Sequence, residues 1–425
     1  MDNSFRGGSK MPYNSHFQRK RLILNIINHL GPISRTALIE LTDYRPATVG
    51  AIASELIAEN LIVEIGTLSA GHGRKRVLLD INKSHICAIG ISFTNTNVTY
   101  ILSQFDGHVL CQSEIQVENK KARKDLVFQI TDHVQELIAQ YADKNIVGIG
   151  LCMPLHDPTD YQHPDTSVAS SEYFDLWIHD NLKPLLENRC QLPVKVFSGV
   201  TLPAIAEHRF GVAKDADDFI WVELSNGIGT SLFCNGRAVS GANAAAGELG
   251  HTVISFQEND RLCYCGKPGC VEGSTAWPAL QSDIRSALNQ GVFSMLQTNS
   301  HSDSFTVQNV RDALDAGDRM CMHFVKKAAN RIGIAISNAI NLLNPKLIVL
   351  YGFMLELGDY FLSNLEQSIR ENVISFSADF EIRISTSSES IMPLGAVADI
   401  FSSFLQAEDY KWVYDLQPGE PDQIS

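Results

Sequence analysis

Apolar residues in the first eighty positions recur at helical spacing, interrupted by residues that stop helices. Leu22, Ile23, Ile26, Ile27 and Leu30 fall on one helical face, and Gly31-Pro32 ends the element. Ser34 is placed to cap a second helix, RTALIELT, whose buried side carries Ala37, Leu38 and Leu41. Asp43-Tyr44-Arg45-Pro46 reads as a turn, and Pro46 suits the first turn of a third helix. That helix presents Val49, Ile52, Ala53 and Leu56 at i, i+3, i+4, i+7 spacing. Residues 61–65 (LIVEI) read as a strand, a glycine-rich tip carries Arg74, Lys75 and Arg76, and residues 77–79 return.

Helix, helix, turn, helix and basic hairpin is the order of a winged helix-turn-helix. In such a module the third helix enters the major groove with its N-terminal residues against base edges. Arg45, Ala47 and Thr48, with Gly50 behind them, are therefore the expected readers of double-stranded DNA. Arg74, Lys75 and Arg76 would meet phosphates or the minor groove, adding affinity more than sequence information.

Beyond residue 85 the pattern changes to strands: 86–91, 98–102 and 109–110, a helix over 124–141, and a buried strand at 146–150. A similar arrangement restarts near Phe219, with strands at 220–224 and 231–233 around the turn Asn226-Gly227-Ile228-Gly229. A helix is expected near 396–407.

A length of 425 residues suggests two to four domains. Hydrophobic residues at 44% and charged residues at 19% are ordinary for a soluble globular chain, without a membrane-length apolar run. The first twenty residues lack a signal peptide's apolar region, so a cytoplasmic protein without membrane insertion is expected. Nine cysteines, an odd number mostly scattered, do not form a disulfide framework. The net charge of −14 argues against nucleic acid until the chain is divided. Residues 1–86 hold 11 Lys+Arg and 7 Asp+Glu, a balance of +4; the remainder holds 23 and 41, a balance of −18. A basic end on an acidic body fits a nucleic-acid module joined to a ligand- or protein-binding body.

The richest chemistry lies in HTVISFQENDRLCYCGKPGC. His251, Cys263, Cys265 and Cys270 supply the four borderline or soft ligands of a closed tetrahedral zinc site. Gly247-Glu248-Leu249-Gly250-His251, followed by Cys-x-Cys-Gly-x-x-Gly-Cys-x-Glu, resembles the signature of the ROK family (repressors, open reading frames, kinases). The resemblance implies a duplicated α/β body of the sugar-kinase and actin class, with the helix near 396–407 packed back on the first half. It also implies a zinc-held loop under a sugar site, whose contacts match Glu248, His251 and Glu272. ROK repressors carry a winged helix where this chain has its basic N-terminal segment.

Kinase members of the family need features that this chain alters. In the first phosphate turn Ser92 replaces the expected Asp, and Thr94 and Asn95 replace glycines ahead of Thr96. Ser198 and Gly199 occupy the places of an Asn-Asp pair whose aspartate is the catalytic base, and neither can act as one. Tyr351 replaces one of two glycines beside the nucleoside, and Leu155 replaces a pocket glycine in Met153-Pro154-Leu155-His156-Asp157. Only Asn226-Gly227-Ile228-Gly229-Thr230 stays close to pattern.

The expected organisation is a winged helix-turn-helix over 1–82 and a first α/β subdomain over 83–196, completed by about 396–425. A second subdomain with the zinc loop covers 197–395. The expected function is a non-enzymatic regulator, most simply a repressor of carbohydrate genes, with a zinc-containing ROK sugar kinase as the alternative. Its partners would be a palindromic operator bound by a homodimer or homotetramer, and a sugar, sugar phosphate or transport-system protein as the signal.

Overall fold

The computed structural model describes residues 15–68, 76–94, 97–116, 123–152, 178–197, 201–243, 245–298, 305–386 and 390–405. Helix α1 (His16–Leu30) opens on a capping box in which Ser15 and Gln18 bond each other's backbone N–H. A two-residue strand β1 (Ile33–Ser34) leads to α2 (Arg35–Thr42), capped by the Ser34 hydroxyl on the Ala37 N–H. Helix α3 (Pro46–Ala58) begins at its proline and buries Val49, Ile52, Ala53 and Leu56, the four positions the spacing selects. Strands β2 (Ile62–Leu68) and β3 (Arg76–Ile81) pair antiparallel. The periodicity does not reveal β1, which pairs with β3 to give the order β1-β3-β2.

Two buried faces differ from expectation. On α2 only Leu38 is fully buried, with Ala37 and Leu41 half-buried. On α1, Leu24 and Asn25 are buried as well as the expected apolar face, while Leu30 is half-buried. A second layer causes this: the C-terminal helix Ile391–Leu405 lies against α1, and Asn25 Nδ2 donates to the Leu405 carbonyl at 2.6 Å.

The body contains two five-stranded sheets of one design. The first consists of β4 (Ile86–Phe93), β5 (Asn97–Gln104), β6 (Val109–Gln116), β7 (Asn145–Cys152) and β8 (Val194–Phe197), in the order β6-β5-β4-β7-β8. The second consists of β9 (Phe219–Leu224), β10 (Ile228–Cys234), β11 (Arg237–Ala238), β12 (Leu347–Tyr351) and β13 (Glu381–Ile384), in the order β11-β10-β9-β12-β13. In both, three antiparallel strands are extended by two parallel ones. The strand–turn–strand repetition in the sequence is thus one half of a duplicated mixed α/β unit.

The C-terminal helix closes the first sheet, as the family resemblance implies. It packs on β4 and β7, where Gly90 admits its backbone: a Cβ there would stand 2.3 Å from the Pro393 carbonyl oxygen. One apolar core then continues from Ile23, Ile27 and Leu56 of the N-terminal helices through Ile86 and Phe105 to Val397, Phe401 and Leu405. Arg21 adds a hydrogen bond to the Phe404 carbonyl at 2.7 Å. Residue 82 therefore separates two patterns in the sequence but not two cores.

Asn25 joins the layers through a buried amide, and alanine would leave the Leu405 carbonyl without this donor. Asn25→Ala should lower unfolding stability by on the order of 1–3 kcal/mol in urea titration followed by circular dichroism.

Candidate metal centre and adjoining carboxylates

The GELGH segment must pass close to the β9–β10 turn, and a missing side chain permits it. Gly247 has φ +92°, and a Cβ there would lie 2.2 Å from the Thr230 carbonyl oxygen. His251 ends the short 3₁₀ turn Leu249–His251 that follows. The chain then makes a flat loop, bonding Ile254 N–H to the Gly269 carbonyl and Val271 N–H to the Thr252 carbonyl. Arg261 fastens the loop to the helix Trp277–Asn289, through the Ala279 carbonyl at 2.9 Å and Asp283 at 2.7 Å.

This folding gathers the four ligands selected by sequence. The ligand atoms of His251, Cys263, Cys265 and Cys270 lie within 4.8 Å of one another. His251 Nδ1 is 3.6 Å from Cys263 Sγ, and the Cys265 and Cys270 sulfurs are 3.6 Å apart. Metal–ligand bonds of about 2.0–2.3 Å at tetrahedral angles require edges of roughly 3.5–3.8 Å, so the residues fit a four-coordinate ion. The charge state points the same way. Burial raises the Cys263 thiol and pushes Cys270 to about 12. Desolvation works against the Cys265 thiolate, yet the Lys267 N–H and the neighbouring thiols hold that group low. A cation would relieve the cost of three thiolates in one loop.

The second nitrogen of His251 faces away from the sulfurs. Nε2 is 2.9 Å from the Tyr264 hydroxyl and 3.8 Å from Glu248 Oε2. Glu248 is largely exposed, whereas Glu272 is buried in the short helix Val271–Thr275 and takes the Ile228 N–H on Oε2 at 2.8 Å. Glu272 Oε1 is buried without a hydrogen-bond partner among the described residues. Burial raises the Glu272 carboxyl, His251 and Tyr264 favour its charged form, and Glu248 opposes it. The structure thus brings Glu248, His251 and Glu272 into one neighbourhood.

Two residues that sequence reasoning missed belong to this region. Tyr264 sits between two ligand cysteines, a position whose meaning depends on where its ring turns. Glu223 lies on the apolar strand β9, directly opposite Gly229 of the second turn. Burial holds its carboxyl above the ordinary range, Ser225 works against that, and Glu272 reinforces it.

The other residues singled out by sequence are spread over both units. Arg45 and Ala47 are exposed at the start of α3, Thr48 is half-buried, and Arg76 is exposed at the start of β3. Arg74 and Lys75 lie outside the described residues, as do Asn95, Thr96, Ser198, Gly199 and the loop around Leu155. Thr94 closes the first turn, its hydroxyl accepting the Asn97 N–H at 2.9 Å. Tyr351 stacks on Trp221, with centroids 5.5 Å apart and planes at 27°.

A duplicated sugar-kinase-like α/β body, carrying a Cys₃His cluster able to hold a metal and a helical N-terminal unit, defines the class. Residues 88–398 match the ROK family model, and the chain belongs to the ROK family. It is 29% identical over 403 residues to the xylose repressor of Caldicellulosiruptor bescii, covering 92% of this chain and 97% of that one. It is 27% identical over 358 residues to the DNA-binding transcriptional dual regulator NagC of Escherichia coli K12, covering 83% and 84%. Its fold resembles a ROK family transcriptional regulator described as a homolog of the E. coli MLC protein, with a TM-score of 0.73 at 23% identity. That likeness covers 95% of this chain and 100% of the other. The ROK hexokinase of Thermus thermophilus gives a TM-score of 0.60 at 20% identity, covering 76% of this chain and 99% of its own.

Removing one thiolate leaves an incomplete coordination sphere, so Cys265→Ser should lose bound metal by elemental analysis, against about one ion per chain in the parent. The Glu223 carboxyl offers a pH test. Its folded pKa is raised, so folding favours the protonated form and the cost grows as pH rises through the ordinary carboxylate range. Glu223→Gln should raise the melting temperature near neutral pH, and the difference should shrink toward about pH 4 in differential scanning calorimetry.

Proposed function

We propose that this chain is a sugar-responsive ROK transcriptional regulator, most simply a repressor of carbohydrate uptake or catabolism genes. The observation that carries the reading is the N-terminal unit itself. The likeness to the regulator includes it and spans 95% of the chain, whereas the hexokinase likeness stops at 76%. Both curated relatives are named for transcriptional control. The unit has the element order of a winged helix-turn-helix, with α3 presenting Arg45, Ala47 and Thr48 to DNA. Arg74, Lys75 and Arg76 on the β2–β3 hairpin would supply phosphate contacts.

In the body, zinc would be held by His251, Cys263, Cys265 and Cys270 in a structural role. Glu248, His251 and Glu272 would receive the effector, a sugar or sugar phosphate; a transport-system protein is the second candidate signal. Dimers or tetramers would match a palindromic operator, since one small module reads only a short site. The alternative, a zinc-containing sugar kinase, draws on the family and on the retained turn Asn226–Thr230. It lacks a carboxylate base at Gly199, and Tyr351 fills the place of a glycine.

Because α1 shares its core with the body, substitution tests the DNA reading more cleanly than truncation. Arg45→Ala or Thr48→Ala should relax preference at particular operator positions, by roughly 1–3 kcal/mol for each base-edge interaction removed. Replacing Arg74, Lys75 and Arg76 with alanine should weaken all DNA binding and flatten its salt dependence. Genome-wide mapping of bound sites, followed by fluorescence anisotropy on the recovered operator, measures both. A protein that binds no DNA, or that phosphorylates sugars with ATP at enzymatic rates, would refute the regulator reading.

A further inference from the structure

His251 faces two ways, and its outer nitrogen is already engaged. Nδ1 belongs to the cluster with Cys263 Sγ, so a metal there leaves the ring proton on Nε2. Nε2–H then donates, and the Tyr264 hydroxyl 2.9 Å away accepts. The Tyr264 ring stands edge-on to the imidazole, with centroids 5.0 Å apart and an interplanar angle of 81°. It is 38% exposed, and its backbone is fixed by the ligand cysteines on either side and by the turn from the Gly266 N–H to the Cys263 carbonyl. Side-chain rotation alone can therefore withdraw the hydroxyl without moving the metal loop.

We propose that Tyr264 is a built-in stand-in for the effector, its hydroxyl occupying on His251 Nε2 the place that a hydroxyl of a neutral sugar takes on binding. The inference rests on the effector reading above and adds the chemistry of the group that enters. That group must accept from Nε2–H. Tyr264 already favours the charged form of Glu272, but Glu272 Oε1 is buried without a well-aligned hydrogen bond among the described residues and calls for a better-placed donor. An alcohol hydroxyl meets both demands at once. A phosphate at this end meets the Glu248 and Glu272 carboxylates and is repelled. Tyr264 thus sets a threshold: a ligand displaces one hydroxyl contact with another and gains affinity only where its donor reaches Glu272 Oε1 better than the phenol does.

The test uses the full-length protein with cobalt(II) in the cluster, whose visible spectrum responds to the hydrogen bond on a ligating histidine. Tyr264→Phe should shift the spectrum without ligand, and D-xylose or N-acetylglucosamine added to that variant should return the spectrum toward the parent's, because a sugar hydroxyl restores the bond on Nε2. By titration calorimetry, Tyr264→Phe should bind the effective sugar on the order of five-fold more tightly, the size of one neutral hydrogen bond no longer displaced. Unchanged or weaker sugar binding by Tyr264→Phe, with Glu272→Gln still weakening it ten-fold or more, overturns the stand-in and leaves the effector site intact. Sugar binding unaffected by Glu272→Gln, or absent throughout, overturns the site and the stand-in together. A cobalt spectrum that Tyr264→Phe leaves unchanged overturns the Nε2 contact. Inorganic phosphate should not reproduce the sugar-induced shift; if it does, the assignment to a neutral hydroxyl fails.

Discussion

The seating of the helix Ile391–Leu405 is the contact on which the rest of the structure depends. It covers the first sheet, approaches β4 at Gly90, and buries Phe401 and Leu405 against residues from the N-terminal helices. Its last carbonyls receive the side chains of Arg21 and Asn25. Lys195 of β8 holds its outer side through Asp399 and Ser403. A helix bonded to both units makes their relative position a property of the core. In a regulator of the proposed kind, any change in how this helix lies on the sheet would reach α1 directly.

The second constraint is the loop from Gly247 to Cys270. Its path follows from close backbone approach at Gly247, two short antiparallel bridges, and the anchoring of Arg261 to Asp283. Those contacts bring three sulfurs and an imidazole together, at a cost in thiolate repulsion that a cation is suited to remove. The same histidine then links the cluster to Tyr264 and Glu248, so the side of the loop that carries Glu248 is tied to the side that carries the sulfurs.

The body keeps the duplicated frame of the sugar-kinase class while changing what its turns present. Thr94 closes the first turn with its own hydroxyl, and Tyr351 packs its ring on Trp221 where a glycine would leave backbone open. Glu223 and Glu272 bring two buried carboxyl groups toward the second turn, each raised by burial.

Local pattern alone determined the helices α1 to α3, the paired strands β2 and β3, the two strand groups of the body and the four residues of the cluster. Each depends on short-range spacing: i, i+3, i+4 periodicity, a serine cap, a proline at a first turn, or thiols a few residues apart. Tertiary structure decided what no window can contain. Leu24 and Asn25 are buried because a helix almost four hundred residues away covers them. β1 exists because β3 offers it an edge. The short edge strand β13 carries no comparable local signature, since its four residues become a strand only against β12. Tyr264 and Glu223 acquire their roles in the same way, because a hydrogen bond and a desolvated carboxylate depend on neighbours that only the fold supplies.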